Sequence, residues 1–426
     1  MKRTALALCV LACGPGLARA ETPEASSHVF GDWGGVRAQL KDRGVDVLVT
    51  YVNELAGNSH GGVRRDATST DQFMVDADLD LGRMAGVEGG SVHVTFTDRN
   101  GPSLNERAGL STLLNPQEIY GYGHGARLVN LYYQQRLLAD RVTVKLGRMP
   151  MGGDIFPFSC EFQNLTFCGT VPGFITPNWF TWPVSQWAIS ADSKLSRTVR
   201  LETALYQVNP VFARAEEGLD LGNPSGTTGA HAVAQLTWTP SPGGLPGVYR
   251  AGAWRNTGDF KDLYRNQAGA PIGEAGGAPR ILTRASGFYL MAEQVVRQTR
   301  GDARRGVTLF ANVIRSDAQV SYIGSVWEGG LFWRGPLAAR PNDTLGLAVG
   351  RLRVNSRSRL RIKQENARRD ASAPIPGTEY PVEVYYGWAA TPAIVVRPNV
   401  QYTINPGGVS ASRNVIVLGL KTTVDF

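Results

Sequence analysis

From Phe73 to Leu81 the chain alternates without a break. Phe73, Val75, Ala77, Leu79 and Leu81 fall on one parity, and Met74, Asp76, Asp78 and Asp80 on the other. Chemistry with period two marks a β-strand whose faces meet different surroundings, because successive side chains point to opposite sides. One such strand fits a soluble sandwich or a membrane barrel, and in either case the aspartate face needs water. The number of strands decides. Val92, Val94 and Phe96 alternate with Ser91, His93, Thr95 and Thr97; Val129, Leu131 and Tyr133 with Asn130, Tyr132, Gln134 and Arg136; Val142, Val144 and Leu146 with Thr143 and Lys145. Further segments begin near Val45, Ser185, Val199, Ala230, Val248, Ala285, Gly306, Ser325, Asp343, Tyr380, Ala393 and Asn414, which makes sixteen strands in all. An even number is what single-chain outer-membrane barrels have.

The connections alternate as well. Those at 85–90, 139–140, 195–198, 241–247 and 391–392 are short, whereas 99–125, 149–183, 210–229, 260–283 and 356–378 are long. Short turns at one end and long loops at the other suit a barrel crossing an outer membrane, and no blade-length repeat points to a propeller. Mean hydropathy is −0.17 and no apolar run reaches about 18 residues, which excludes a spanning helix. No shift of composition divides the chain. The expected fold is therefore all-β: a 16-stranded antiparallel transmembrane β-barrel over 45–426 with long extracellular loops. A segment 21–44 precedes it and carries a short N-terminal helix, with Asp32 as N-cap, Val36 and Leu40 at helical spacing and Gly44 as stop. The last strand places Ile416, Leu418, Leu420, Thr422, Val424 and Phe426 on one face. Tyr133, Trp187, Trp238, Trp333, Tyr386 and Trp388 suit aromatic girdles.

Lys2 and Arg3, an apolar stretch over 5–12 and Ala18-Arg19-Ala20 read as a signal peptide over 1–20; a lipoprotein cut before Cys13 would need a longer apolar core. Its removal takes away Lys2, Arg3 and Arg19 and lowers the formal charge from +8 to +5. Without a basic–aromatic motif, that balance gives no case for nucleic acid. Cys160 and Cys168 then remain in an oxidising compartment, where a disulfide is expected; a metal or redox pair would want CxxC spacing or a nearby His. The five His lie in no catalytic motif, and neither GxSxG nor HExxH occurs. Neither an enzyme nor a cofactor or metal is expected.

Phe30-Gly31-Asp32-Trp33-Gly34-Gly35-Val36-Arg37, followed by Leu40 and Asp42-Arg43-Gly44-Val45, resembles the N-terminal motif of the carbohydrate-selective porins of the OprB type. Tyr133-Gln134-Gln135-Arg136 with Lys145-Leu146-Gly147-Arg148 resembles that family's central hairpin. The stretch from Asn164 through Phe167-Cys168-Gly169 resembles the loop after it, and Pro398 to Tyr402 with Asn405-Pro406-Gly407-Gly408 the last hairpin. The resemblance implies an outer-membrane porin of a Gram-negative bacterium that passes monosaccharides such as glucose by passive diffusion. The loops 210–229 and 260–283 carry no family pattern. Expected partners are small-molecule sugars, outer-membrane lipid and the assembly machinery that receives a terminal strand ending in an aromatic; a homo-oligomer is left open. The alternatives are a general or weakly anion-preferring porin, and a secreted sugar-binding protein.

A barrel of this strand number leaves an aqueous lumen unless a loop folds inward. The segment 149–183 is the candidate, because Phe156, Phe158, Phe162, Phe167, Phe174, Trp179, Phe180 and Trp182 cannot all be solvated cheaply. Sugars need groups that replace their water and an apolar surface for the ring face. Arg148, Glu202, Arg99, Glu106, Arg397, Trp179 and Trp182 are the constriction candidates. Each charge competes with a wall-to-wall ion pair, and each Trp with a packing anchor. Arg148 shares the outward parity of Val144 and Leu146, so it reaches the lumen only past a bulge or strand end.

Overall fold

The computed structural model describes residues 27–122, 124–299 and 301–426; the signal peptide expected over 1–20 lies outside them. Its strands are β1 Val45–His60, β2 Ala67–Asp80, β3 Gly90–Asn100, β4 Gly125–Leu137, β5 Val142–Pro150, β6 Ser185–Lys194, β7 Val199–Val208, β8 Gly229–Trp238, β9 Gly247–Asn256, β10 Phe260–Asn266, β11 Pro279–Leu282, β12 Ala285–Thr299, β13 Asp302–Arg315, β14 Ile323–Arg334, β15 Thr344–Val354, β16 Thr378–Thr391, β17 Ile394–Ile404 and β18 Val415–Asp425. All except β10 and β11 form one closed antiparallel barrel of sixteen strands. Each of the sixteen overlaps a segment that alternation picks out in the sequence.

Closure is made by β1 against β18, from Thr50 opposite Asp425 to Asn58 opposite Val417. The seam is braced from the short-turn end. Arg37 donates to the Val47 carbonyl at 2.7 Å and also to the Phe426 carbonyl, and the Phe30 and Phe426 rings lie 5.4 Å apart. The helix bearing Arg37 is Val36–Asp42, preceded by a 3-10 turn at Trp33–Gly35. Asp32 thus caps differently from expectation: its carboxylate accepts from the Ala38 amide at 3.0 Å, one turn farther in. Gly44 ends the helix at φ +89°, where a Cβ would meet the Asp80 carbonyl at 2.9 Å.

Parity sorts the wall. Leu146, Leu205, Leu236, Leu309 and Leu418 point outward and are exposed. The buried residues sit inside the barrel, where the segment 151–184 folds back as a lap. Phe156, Phe162, Phe167 and Trp179 are fully buried there; Phe162 meets Tyr385 at 5.0 Å and Phe158 meets Phe310 at 5.0 Å. Rings give the lap its burial, while polar groups of the wall fix its position. Glu383 accepts from the Gln163 and Asn164 amides, both at 2.8 Å, and Asn164 donates to Gln401 Oε1 at 2.9 Å. Cys160 and Cys168, joined by a disulfide, close the lap on itself.

The loop over 101–122 also turns inward. Gln117 donates to the Glu54 carbonyl at 2.7 Å and accepts from Thr68 Oγ1 at 2.8 Å, and Glu379 accepts from the Leu113 amide at 2.9 Å. Two connections that the sequence marks only as long carry structure. The hairpin β10–β11 occupies one, and the helix Ser356–Arg369 the other. That helix has no apolar stripe to betray it. It rests on the Asn355 cap to the Arg357 amide (2.9 Å) and on Arg361–Glu365, an i,i+4 pair at 2.8 Å. Asp262 binds helix to hairpin, with Arg280 at 2.8 Å and Arg357 at 3.6 Å. Burial would raise its carboxyl, but the Tyr264 and Arg265 amides and Arg280 hold it below the ordinary carboxylate range.

The Glu383→Ala variant should release the lap while leaving the barrel intact. Two buried amides lose their acceptor, at about 1–3 kcal/mol each. Single-channel conductance is expected to rise and fluctuate while the β-type circular dichroism spectrum is retained; unchanged conductance would show that the lap is held by its rings alone.

Candidate functional site

A cavity of about 530 Å³ lies between the lap and the wall made by β1 to β5, β17 and β18. Its wall side is polar, with Gln72, Arg99, Asn130, Lys145, Arg397, Lys421 and Thr423; its lap side offers Phe156, Phe158, Phe174 and Trp182, and Glu118 enters from the second inward loop. The division follows from topology. Lumen-facing positions of the strands are free to be charged, while the lap must be apolar to pack.

The charges form a continuous row. Lys421 Nζ lies 3.1 Å from Glu54 and 3.0 Å from Glu118, and Glu118 lies 3.9 Å from Arg99. Arg99 donates to Gln72 Oε1 at 2.8 Å and to the Ile119 carbonyl at 2.8 Å. The same Gln72 oxygen accepts from Trp182 Nε1 at 3.1 Å. Burial alone would push the Glu118 carboxyl up; Lys421 and Arg99 outweigh it and hold the group below the ordinary carboxylate range. Across the cavity Lys145 reaches Asp154 on the lap at 2.6 Å and lies 5.2 Å from the Tyr132 ring centre. Arg397 donates to Thr423 Oγ1 at 3.2 Å and has no ion-pair partner among the described residues.

Toward the short-turn end the passage continues past His93, stacked on Tyr132 at 5.0 Å and bonded to Asp76 at 3.1 Å and Asp78 at 2.7 Å. Both ring nitrogens are thereby engaged by carboxylates. On the far wall Arg250 pairs with Glu293 at 2.9 Å, and Arg200 with Asp192. Paired charges of this kind offer donors and acceptors to hydroxyl groups while leaving little net field for ions.

Of the residues singled out in the sequence, Arg99, Arg397 and Trp182 border the cavity together. The others stand apart from it. Arg148 keeps the outward parity of β5, in unbroken register with β4 and β6, and reaches Ser185 Oγ at 2.9 Å, the Asp220 carbonyl and the face of Phe212 at 4.1 Å. Glu202 points inward on β7 but accepts from Thr237 Oγ1 at 3.0 Å. Glu106 is exposed on the helix Leu104–Ala108, 3.3 Å from Tyr120 Oη. Trp179 is an anchor: it donates to the Met151 carbonyl and packs edge-on to Trp254 at 5.0 Å. Glu118, Lys421, Gln72, Lys145 and Asp154 escaped the sequence reading. Lys421 and Lys145 each carried a signal, as a cation on the lumen parity of a strand whose other face is apolar.

Comparison with known proteins gives a consistent result. The family described as carbohydrate-selective porin, OprB family, matches residues 64–426. Porin B of Pseudomonas aeruginosa is 36% identical over 418 residues, covering 94% of this chain and 92% of that protein. A high-pH structure of OprB from Pseudomonas putida superposes with a TM-score of 0.92 at 34% identity, covering 95% of this chain and 100% of that one. The outer-membrane channel DcaP of Acinetobacter baumannii, 10% identical with a TM-score of 0.51 over 90% of this chain and 97% of its own, shares the fold.

Replacing Lys421 by Met should strand Glu54 and Glu118 without their shared cation. Breaking a buried pair costs roughly 3–5 kcal/mol, so the temperature at which the folded band is lost on electrophoresis should fall. Adding Glu54→Gln to that variant should recover part of the loss; no recovery would mean that the row is not electrostatically coupled.

Proposed function

We propose that this chain, which belongs to the OprB family of carbohydrate-selective porins and resides in the outer membrane of a Gram-negative bacterium, passes neutral monosaccharides such as glucose by passive diffusion between Trp182 and the row Arg99–Glu118–Lys421. The family is one of channels rather than enzymes. The reading rests on one observation: an aromatic face stands directly beside charges that are already paired, with Gln72 bonded to both Trp182 and Arg99. A pyranose ring can lay its apolar face on the indole while its hydroxyls exchange water for Arg99, Glu118 and Gln72. An inorganic ion gains less, since each charge of that row has a partner of opposite sign. Passage needs a site that is easy to enter and easy to leave, and half-buried Gln72 and Glu118 with one aromatic contact meet that need.

In this reading Arg397 contributes a further donor, whereas Arg148, Glu202, Glu106 and Trp179 act by holding loops and walls in place. The rival is a general or weakly anion-preferring channel, favoured by the unpaired Arg397. A series of single-channel conductances at rising glucose concentration separates them. Conductance should fall with sugar; strong anion selectivity with no response to sugar would overturn the proposal. Trp182→Ala should weaken the block roughly two- to tenfold, the equivalent of about 0.5–1.5 kcal/mol for one aromatic contact. Replacing Arg148 and Glu202 together by Ala should leave glucose flux in liposome swelling within about twofold by the same scale.

A further inference from the structure

The outward wall of β13, β14 and β15 is ordered in rows. Val307, Trp333 and Leu345 stand side by side near the short-turn end, followed upward by Leu309, Leu331 and Leu347, then by Ala311, Gly329 and Val349. The next row holds Val313, Trp327 and Arg351, and the last, at the long-loop end, Arg315, Ser325 and Arg353. The apolar rows that rise from Trp333 to Trp327 face the hydrocarbon, and Trp327 marks the interface at their long-loop end. The arginines therefore stand at headgroup height on the side of the long loops, which is the outer leaflet.

Their charges are uncommitted within the protein. Arg315 and Arg353 are exposed, Arg351 partly so, and none of the three has an ion-pair or hydrogen-bond partner among the described residues. Charges inside the lumen, by contrast, are mostly paired. Arg255, exposed on the outward parity of β9, adds a fourth cation opposite Ser286 of β12. The acidic group of this corner, Asp317, is committed to the Ser286 amide at 3.1 Å and the Gln319 amide at 2.8 Å. Adjacent strands lie about 4.8 Å apart, so Arg315 and Arg353, flanking one serine, are within reach of a single oxyanion. Guanidinium forks match phosphate geometry, and long side chains at this height keep their heads in the polar layer.

We infer that Arg315, Arg351 and Arg353 form a binding site for the phosphorylated headgroup of an outer-leaflet lipid, which docks its acyl chains along the apolar rows beneath, beside Trp327. The occupant is lipid-borne phosphate rather than free phosphate, because the cations sit at the edge of a surface that only acyl chains cover.

The test uses the full barrel in neutral detergent, with bound lipid read by native mass spectrometry. Wild-type protein should retain bisphosphorylated lipid A. The dephosphorylated counterpart should bind at least about tenfold more weakly, as should bisphosphorylated lipid A on the variant carrying Arg315→Gln and Arg353→Gln. The variant carrying Arg315→Lys and Arg353→Lys should recover part of the binding, and glucose flux should stay unchanged in both, reporting an intact barrel. Equal retention of both lipids, or undiminished binding by the Gln variant, would overturn the inference. Displacement of the lipid by an equal concentration of inorganic phosphate would overturn it too, by assigning the site to the free anion.

Discussion

Closure of the hydrogen-bond ladder between β1 and β18 is the constraint on which everything else rests. A strand edge left open in hydrocarbon would expose a row of unsatisfied amides and carbonyls, so the wall must return to its beginning. Once it does, every strand has one face toward lipid and one toward the axis, and the chemistry of the chain divides accordingly. The seam is also where the N-terminal helix earns its place: Arg37 ties the first strand's Val47 and the last residue's carbonyl together. The motif around Phe30 is thereby explained by geometry, as a brace at the junction of the two chain ends.

A closed wall of this size is too wide to discriminate among small solutes, and selectivity comes from what fills it. The lap is apolar because its rings must find partners, and it is positioned by carboxylates that cannot be left bare in a buried place. Glu383 and Glu379 find backbone amides, while Glu54 and Glu118 share Lys421. These arrangements offset desolvation and leave the two inward loops with a fixed outline. The passage that remains has an aromatic side and a charged side because one belongs to a packed insert and the other to a wetted wall. In our reading Arg315, Arg351 and Arg353 on the outer rim meet an interface that supplies its own anions.

Much of this was legible before any coordinates. Alternation located all sixteen barrel strands, because the demand for apolar outward positions is written residue by residue. The aromatic run after β5 marked an inward loop, since exposed rings would be costly. What alternation does not reach is anything whose stability is local or long-range. The helix Ser356–Arg369 lacks an apolar stripe and stands on caps and an ion pair; the hairpin β10–β11 meets it through Asp262, which pairs with Arg280 within the hairpin and lies 3.6 Å from Arg357 of the helix. The inward course of 101–122 was invisible for the same reason, because Gln117 and Glu118 become lumen residues only through partners on β1, β2 and β18.

The sequence by itself determined the barrel, the number of strands and the end at which the loops lie, since each follows from local parity and turn length. Only the tertiary structure decided which charges face the same passage. Arg99 and Lys421 are separated along the chain by nearly its whole barrel, and closure makes them neighbours through Glu118; Arg148, adjacent in sequence to the lap, was turned outward by a single step of the pleat. Parity fixes on which side of the wall a residue lies, but proximity across a lumen is set by the closing of the ring and the path of the loops within it.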